Sequence, residues 1–229
     1  HGIDVLSNRP VGKNLIDHMS VTLRPFQSEA KTPIAAATAF IKSDNQQTIP
    51  DIQIFHATFE KVDVAYTILL GAKSRGEIKL RSNNPTDTVI VDPKYLNDDT
   101  DKQRLAKGVR EHVKIIKSMK TEKSTYTFVP FKWNENCTQY DELSDKHLEC
   151  VVMYDGYRAH HMVGTAQMGK SDAKSSVVDP TLKAIGATGV RVVDASVMPT
   201  IVSANTQCAV MAIAEKAADL IKKEATTQE

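Results

Sequence analysis

The feature that most narrows the possible folds is a change of hydrophobic period along the chain. Within residues 98–119, Leu105, Val109, Val113 and Ile116 recur at steps of four, four and three, the spacing of one helix face. Upstream the spacing is two. Ile52 and Ile54 flank Gln53, and Ile78 and Leu80 flank Lys79, so each pair is expected to point inward from a strand. Residues 39–41 and 89–91 read as further strands, with Asn83-Asn84-Pro85 as a turn. Residues 53–55 and 78–80 are expected in one sheet, covered by the helix around 105–116. A chain that alternates in one part and winds in another calls for an α+β fold.

The flanks are less regular. Pro10, Gly12, Asn14 and Asp17 make the first twenty residues a turn-rich entry, with Asn14 and Asp17 able to tie the backbone locally. Ser144-Asp145 opens a short helix carrying Leu148, Val151 and Val152. Residues 190–194, Val-Arg-Val-Val-Asp, read as a strand ending in a carboxylate. A last helix is expected from near Asn205, a natural N-cap, with Val210, Ile213, Ala214, Ala217 and Ile221, and a frayed polar tail from Thr226.

Composition excludes several classes. The 229 residues are 41% hydrophobic and 25% charged with a formal net charge of +1, which rules out a disordered tail and a global basic field. Lys102, Lys107, Arg110, Lys114 and Lys117 line one helix face, but Asp101 and Glu111 interrupt them and no aromatic residue interleaves. That face reads as solvated, and no nucleic-acid partner is expected. No stretch approaches the roughly 18–20 apolar residues of a membrane span, and His1 begins no signal peptide. Cys137 and Cys150 either pair in an oxidising compartment or stay free, whereas Cys208 reads as a small core residue. Asn136-Cys137-Thr138 fits the N-glycosylation pattern.

One motif is a decoy. Residues 164–171 satisfy the Walker A pattern literally, from Gly164 to Gly169-Lys170-Ser171. A phosphate cradle needs a buried strand before the loop and a helix after it. Ala159-His160-His161 is too polar for that strand, and residues 172–180 run into Pro180 as a poor helix. A P-loop NTPase is therefore the weakest reading.

Five blocks in order resemble the glucose–methanol–choline oxidoreductases. His161-Met162-Val163-Gly164-Thr165 with Met168-Gly169 is similar to the family's His-Pro-Val-Gly-Thr…Met-Gly. Val178-Asp179-Pro180 followed by 189–199 resembles its Asp-Pro…Val-Val-Asp-Ala-Ser-Ile-Met-Pro. Asn205-Thr206-Gln207, leading into 214–219, resembles its final active-site turn and helix. Residues 10–18 are similar to Val-Gly-Lys-Asn-Leu-Gln-Asp-His, and Ser74-Arg75-Gly76 to Tyr95-Leu96 to the block opening the C-terminal module. The insect glucose-dehydrogenase-like members are the nearest in flavour.

The resemblance implies the C-terminal half of an FAD enzyme that oxidises an alcohol or sugar hydroxyl by hydride transfer to the flavin. Residues 1–20 would end the N-terminal module, 21–155 would form an antiparallel-sheet substrate domain with covering helices, and 156–229 would hold the active-site loop with the C-terminal strand and helix of the FAD-binding α/β domain. His161 carries the base role and Asn205 orients the alkoxide, with His160 behind them; Asp194, Ala195, Thr206 and Gln207 reach the FAD. Met162 stands where the family has Pro. No Gly-x-Gly-x-x-Gly occurs in these residues, so an N-terminal ADP-binding region is the expected missing partner, and a secreted location follows by resemblance. The alternative is a flavin-free, non-catalytic binding or scaffold remnant.

Overall fold

A computed structural model describes residues 1–23, 26–28, 37–59, 62–118, 126–128 and 132–227. Met119 and residues 228–229, which belong to two of the segments read above, lie outside them. The strands are β1 (Lys13–Leu15), β2 (Met19–Leu23), β3 (Phe26–Ser28), β4 (Ala37–Ile41), β5 (Ile52–Phe59), β6 (Val62–Leu69), β7 (Gly76–Lys79), β8 (Ile90–Asp92), β9 (Tyr126–Phe128) and β10 (Gly156–Arg158). The helices are α1 (Asp99–Ser118), α2 (Asp145–Asp155) and α3 (Gln207–Thr227). This is an α+β fold in which, among the described residues, every strand pair is antiparallel. The chain divides into two compact units, each discontinuous in sequence.

The second unit, residues 18–73 and 96–159, is a sheet covered by helices. Its strands run β10-β2-β6-β3-β9, with β5 also on β6 and β4 on β5. The long β5–β6 ladder pairs Ile52 with Leu69 and Ile54 with Thr67. That register puts Ile52, Ile54 and His56 on the face met by α1, whose Leu105, Val109, Val113 and Ile116 are buried as the periodicity predicts. Gly108 lets α1 approach closely: a Cβ there would stand 2.7 Å from Ile52 Cδ1. Asp98 holds the start of α1 through the Thr100 amide at 2.8 Å, and Asp99 and Asp101 sit at the positive end of the dipole. Ser144 caps α2, accepting from the His147 amide at 3.2 Å. Arg104 donates to Asp51 at 2.8 Å and to the Leu70 carbonyl at 2.7 Å, while both Asp101 oxygens accept from the Lys73 amide. Cys137 and Cys150 form a disulfide.

The first unit, residues 1–17, 74–95 and 160–229, holds the small sheet β1-β7-β8 and α3. Three readings change here. Residues 53–55 and 78–80 lie in different sheets, because alternation marks a buried face but not the neighbouring strand; Leu80 falls outside β7 and is 55% exposed. Residues 190–194 form no strand, only a bridge between Lys183 and Arg191; no strand among the described residues lies beside them, and Val192 and Val193 pack instead onto Val177, Val178, Leu182, Val197 and Ala217. Cys208 is free and exposed, since α3 buries the side carrying Ala209, Val210, Ile213 and Ala217.

Candidate functional site

His161, Asn205, Asp194, Ala195, Thr206 and Gln207 all belong to the first unit. Its core brings their segments together. Ile16 and Val163 exchange backbone hydrogen bonds at 3.0 and 2.9 Å. Their side chains cluster with Met198 and Ile201, and Ala209 and Val210 from the start of α3 pack on the same cluster. The loop of His161 and the turn of Asn205 are therefore anchored by one apolar knot. Gly164 completes it: with φ at 98° it adopts a conformation costly for other residues, and a Cβ would stand 2.2 Å from the Asn14 carbonyl. The Asn14 amide reaches the Pro199 carbonyl at 3.2 Å, so it ties distant segments rather than its own turn.

The knot leaves His161 Nε2 3.3 Å from Asn205 Nδ2, across 44 residues of sequence. Both side chains are accessible to a small molecule, the imidazole being partly buried. Burial lowers its pKa first; the Asp17 charge works in the opposite direction and His160 adds to the lowering. The ring is thus neutral near pH 7, as a proton acceptor must be. Asn205 is not the helix cap expected of it: α3 begins at Gln207, and the Thr206 carbonyl accepts from Val210 at 3.0 Å.

Asp194 caps a short 3₁₀ turn, Ala195–Val197, accepting from the Ser196 amide at 2.7 Å, and its carboxylate is exposed. Ala195 packs on the apolar knot, Thr206 is half-buried and Gln207 exposed at the first turn of α3. His160 is exposed, with φ at 60°. Residues 171–176 form turns and irregular backbone, so the helix that a phosphate cradle needs does not follow Lys170-Ser171. Reading along the sequence assigned no site role to Asp17 and Tyr95. Asp17 is 5% exposed, and its carboxylate accepts from the His161 amide at 2.7 Å and from the Tyr95 hydroxyl at 2.6 Å. The available signal was their presence in two of the resembling blocks.

A family model described as GMC oxidoreductase matches residues 72–214. The chain is 32% identical to an alcohol dehydrogenase [acceptor] of Pseudomonas putida, over 96% of this chain and 46% of that protein. It is 31% identical to human mitochondrial choline dehydrogenase, over 96% and 43%. Among solved structures, an FAD-dependent oxidoreductase from Chaetomium thermophilum superposes with a TM-score of 0.80 at 19% identity, covering 98% of this chain and 50% of that one. Formate oxidase of Aspergillus oryzae RIB40 gives 0.77 at 21%, covering 100% and 50%. At these identities the structures speak to the fold. The chain spans about half the length of the curated relatives it matches.

Proposed function

The chain belongs to the GMC oxidoreductase family, and from that premise we propose that it forms part of an FAD-dependent oxidoreductase acting on the CH–OH group of an alcohol or sugar. The observation that carries this reading is the approach of His161 to Asn205. His161 Nε2, neutral and partly shielded, accepts the hydroxyl proton of the donor. Asn205 holds the same oxygen by a hydrogen bond and does not titrate. The paired side chains fix the oxygen between them, so the carbon's hydrogen is presented in one direction.

Members of the family bind FAD, and the chemistry of the neighbouring groups suits a flavin. The exposed Asp194 carboxylate is an acceptor for ribityl hydroxyls. Thr206 and Gln207 stand at the positive end of the 21-residue α3, which favours electron-rich ring atoms. Ala195 lies beside them without adding charge. When bound, the flavin supplies the hydride acceptor. The ADP half of FAD would be held by a dinucleotide-binding region like that of the relatives. A donor of the kind oxidised by the insect glucose-dehydrogenase-like members is the finer form of the same reading.

We place the protein in an oxidising compartment. The Cys137–Cys150 bridge and the exposed Asn136 of the glycosylation pattern support that placement. Secretory expression should yield a glycosidase-sensitive mobility shift that Asn136→Gln removes.

The test of function is anaerobic reduction of the flavin-loaded protein by alcohols, followed near 450 nm. His161→Ala should slow reduction by roughly 10²–10⁴ at neutral pH, with less loss at high pH where solvent takes the proton. Asn205→Ala should cost about 1.5–3 kcal/mol and leave the shape of the pH profile intact. Reduction of His161→Ala at the parental rate near pH 7 would transfer attention to His160. Failure to retain any flavin in a protein that also carries the dinucleotide-binding region would favour the flavin-free reading.

A further inference from the structure

Two of the resembling blocks, residues 10–18 and the one ending at Tyr95-Leu96, supply no group to the chemistry above. The structure brings both beneath His161. Asp17 follows Ile16, whose backbone bridges to Val163, so its side chain is carried to the loop that bears the imidazole. One carboxylate oxygen accepts from the His161 amide at 2.7 Å and the other from the Tyr95 hydroxyl at 2.6 Å. A buried carboxylate with both oxygens engaged in charge-assisted bonds is held in one orientation. The His161 amide it grips follows directly on His160, whose φ of 60° puts a non-glycine residue in the left-handed region. That conformation is disfavoured for a residue with a Cβ, and a hydrogen bond to a charged acceptor is stronger than one to a neutral group. The Asp17 contact therefore sits where it can hold the turn that presents the imidazole.

We infer that Asp17, braced by the Tyr95 hydroxyl, is the positioning residue for His161: it fixes the backbone from which the imidazole projects and supplies a fixed negative charge beside the ring. The inference rests on the reading of His161 as the proton acceptor, and gives a physical role to two blocks that carry none of the reacting groups. Among the described residues, the charged or titratable groups acting on the ring include Asp17, which favours the imidazolium, and His160, which opposes it. Asn205 faces Nε2 without charge, and the Tyr95 hydroxyl lies on the far oxygen of Asp17. A negative charge beside the ring also grows in value as the imidazole takes its proton, because the attraction exists only in the protonated state.

The experiment is NMR on the isotopically labelled chain, reading the His161 ring titration and the His161 amide exchange rate in the parent, Asp17→Asn, Asp17→Ala and Tyr95→Phe. Asp17→Asn keeps an acceptor for the amide but loses the charge. Its His161 ring should titrate at lower pH than the parent's, with amide exchange little changed. Asp17→Ala loses both, and the His161 amide should exchange about tenfold faster or more. Tyr95→Phe should lie between the parent and Asp17→Ala in exchange. Unchanged spectra for β7 and α3, which belong to the same unit, show that its fold is intact, and Asp17→Asn supplies the charge result if Asp17→Ala does not fold. A ring titration unmoved by Asp17→Asn, or an amide unmoved by Asp17→Ala, overturns the inference. These readouts need no turnover, so they separate it from the reading on which it rests. If the ring and amide respond while flavin reduction in Asp17→Asn keeps the parental pH profile, the positioning stands and the base assignment falls.

Discussion

Acid should destabilise the second unit through His112. This side chain on α1 is fully buried, with Thr67 Oγ1 at 2.7 Å from Nδ1 and His56 Nε2 at 2.5 Å from Nε2. Burial, with His56 as a smaller contribution, pushes its pKa from 6.5 down to about 3. The unfolded chain takes up a proton near pH 6.5, whereas the folded chain refuses it until about pH 3. The unfolded state thus binds more protons across that window, and stability falls as pH falls through it. Each pH unit inside the window is worth about 1.4 kcal/mol, so going from pH 7 to pH 4.5 should remove about 2.5 kcal/mol. The assay is urea unfolding followed by Trp133, the single tryptophan, which lies in the same unit. Because His147, beside Trp133, also has a burial-lowered pKa, the informative quantity is the difference between the parent and His112→Gln. The variant should lose about 2.5 kcal/mol less than the parent over that range. Identical pH dependence in the two proteins would refute the argument that a neutral, buried His112 governs acid stability.

Arg104→Ala should destabilise by about 3 kcal/mol in the same urea assay, because it removes a partner of the buried Asp51 and frees the Leu70 carbonyl. Asp51 keeps its bonds to Ser43, so complete loss of folding is not expected. Gly108→Ala gains about 1 kcal/mol of helix propensity but drives a Cβ into Ile52. Overpacking of about 1–3 kcal/mol should win, giving a lower Tm by calorimetry. Reducing the Cys137–Cys150 bridge, which closes 13 residues, should cost about 3 kcal/mol, measured as a shift of urea midpoint with and without reductant.

Local pattern made α1 and α2 readable because their signals are contained within a few turns: the recurrence of Leu105, Val109, Val113 and Ile116, and Ser144 ahead of an apolar run. Partnership was not readable in this way. The alternation at Ile78 marked a strand but could not show that β7 pairs with β1 and β8 rather than with β5 or β6. The valines of 190–193 have β propensity, yet a strand also needs a neighbour to complete its hydrogen bonds, and propensity is silent on that. Helical period placed Cys208 in an apolar pattern without saying which side of α3 meets a core. For the site, His161 and Asn205 stood out through resemblance to motifs. Asp17 and Tyr95 were inside such motifs, but their meeting depends on a closure that no local period encodes.

The interleaving of the two units has a consequence during synthesis. Asp17 and its His161 partner are 144 residues apart, and β1 sits in the same unit as α3. At about 5–20 residues per second a ribosome needs roughly 7–30 s to deliver the second after the first. Through that interval Ile16, buried in the finished protein, has no Val163, Met198 or Ile201 to cover it. The second unit can close once residue 159 has emerged, while the first remains an open knot until its last apolar members arrive. Nascent chains should therefore acquire protease resistance in that order, and a chaperone that shields short apolar segments would find a long-lived target at Ile16.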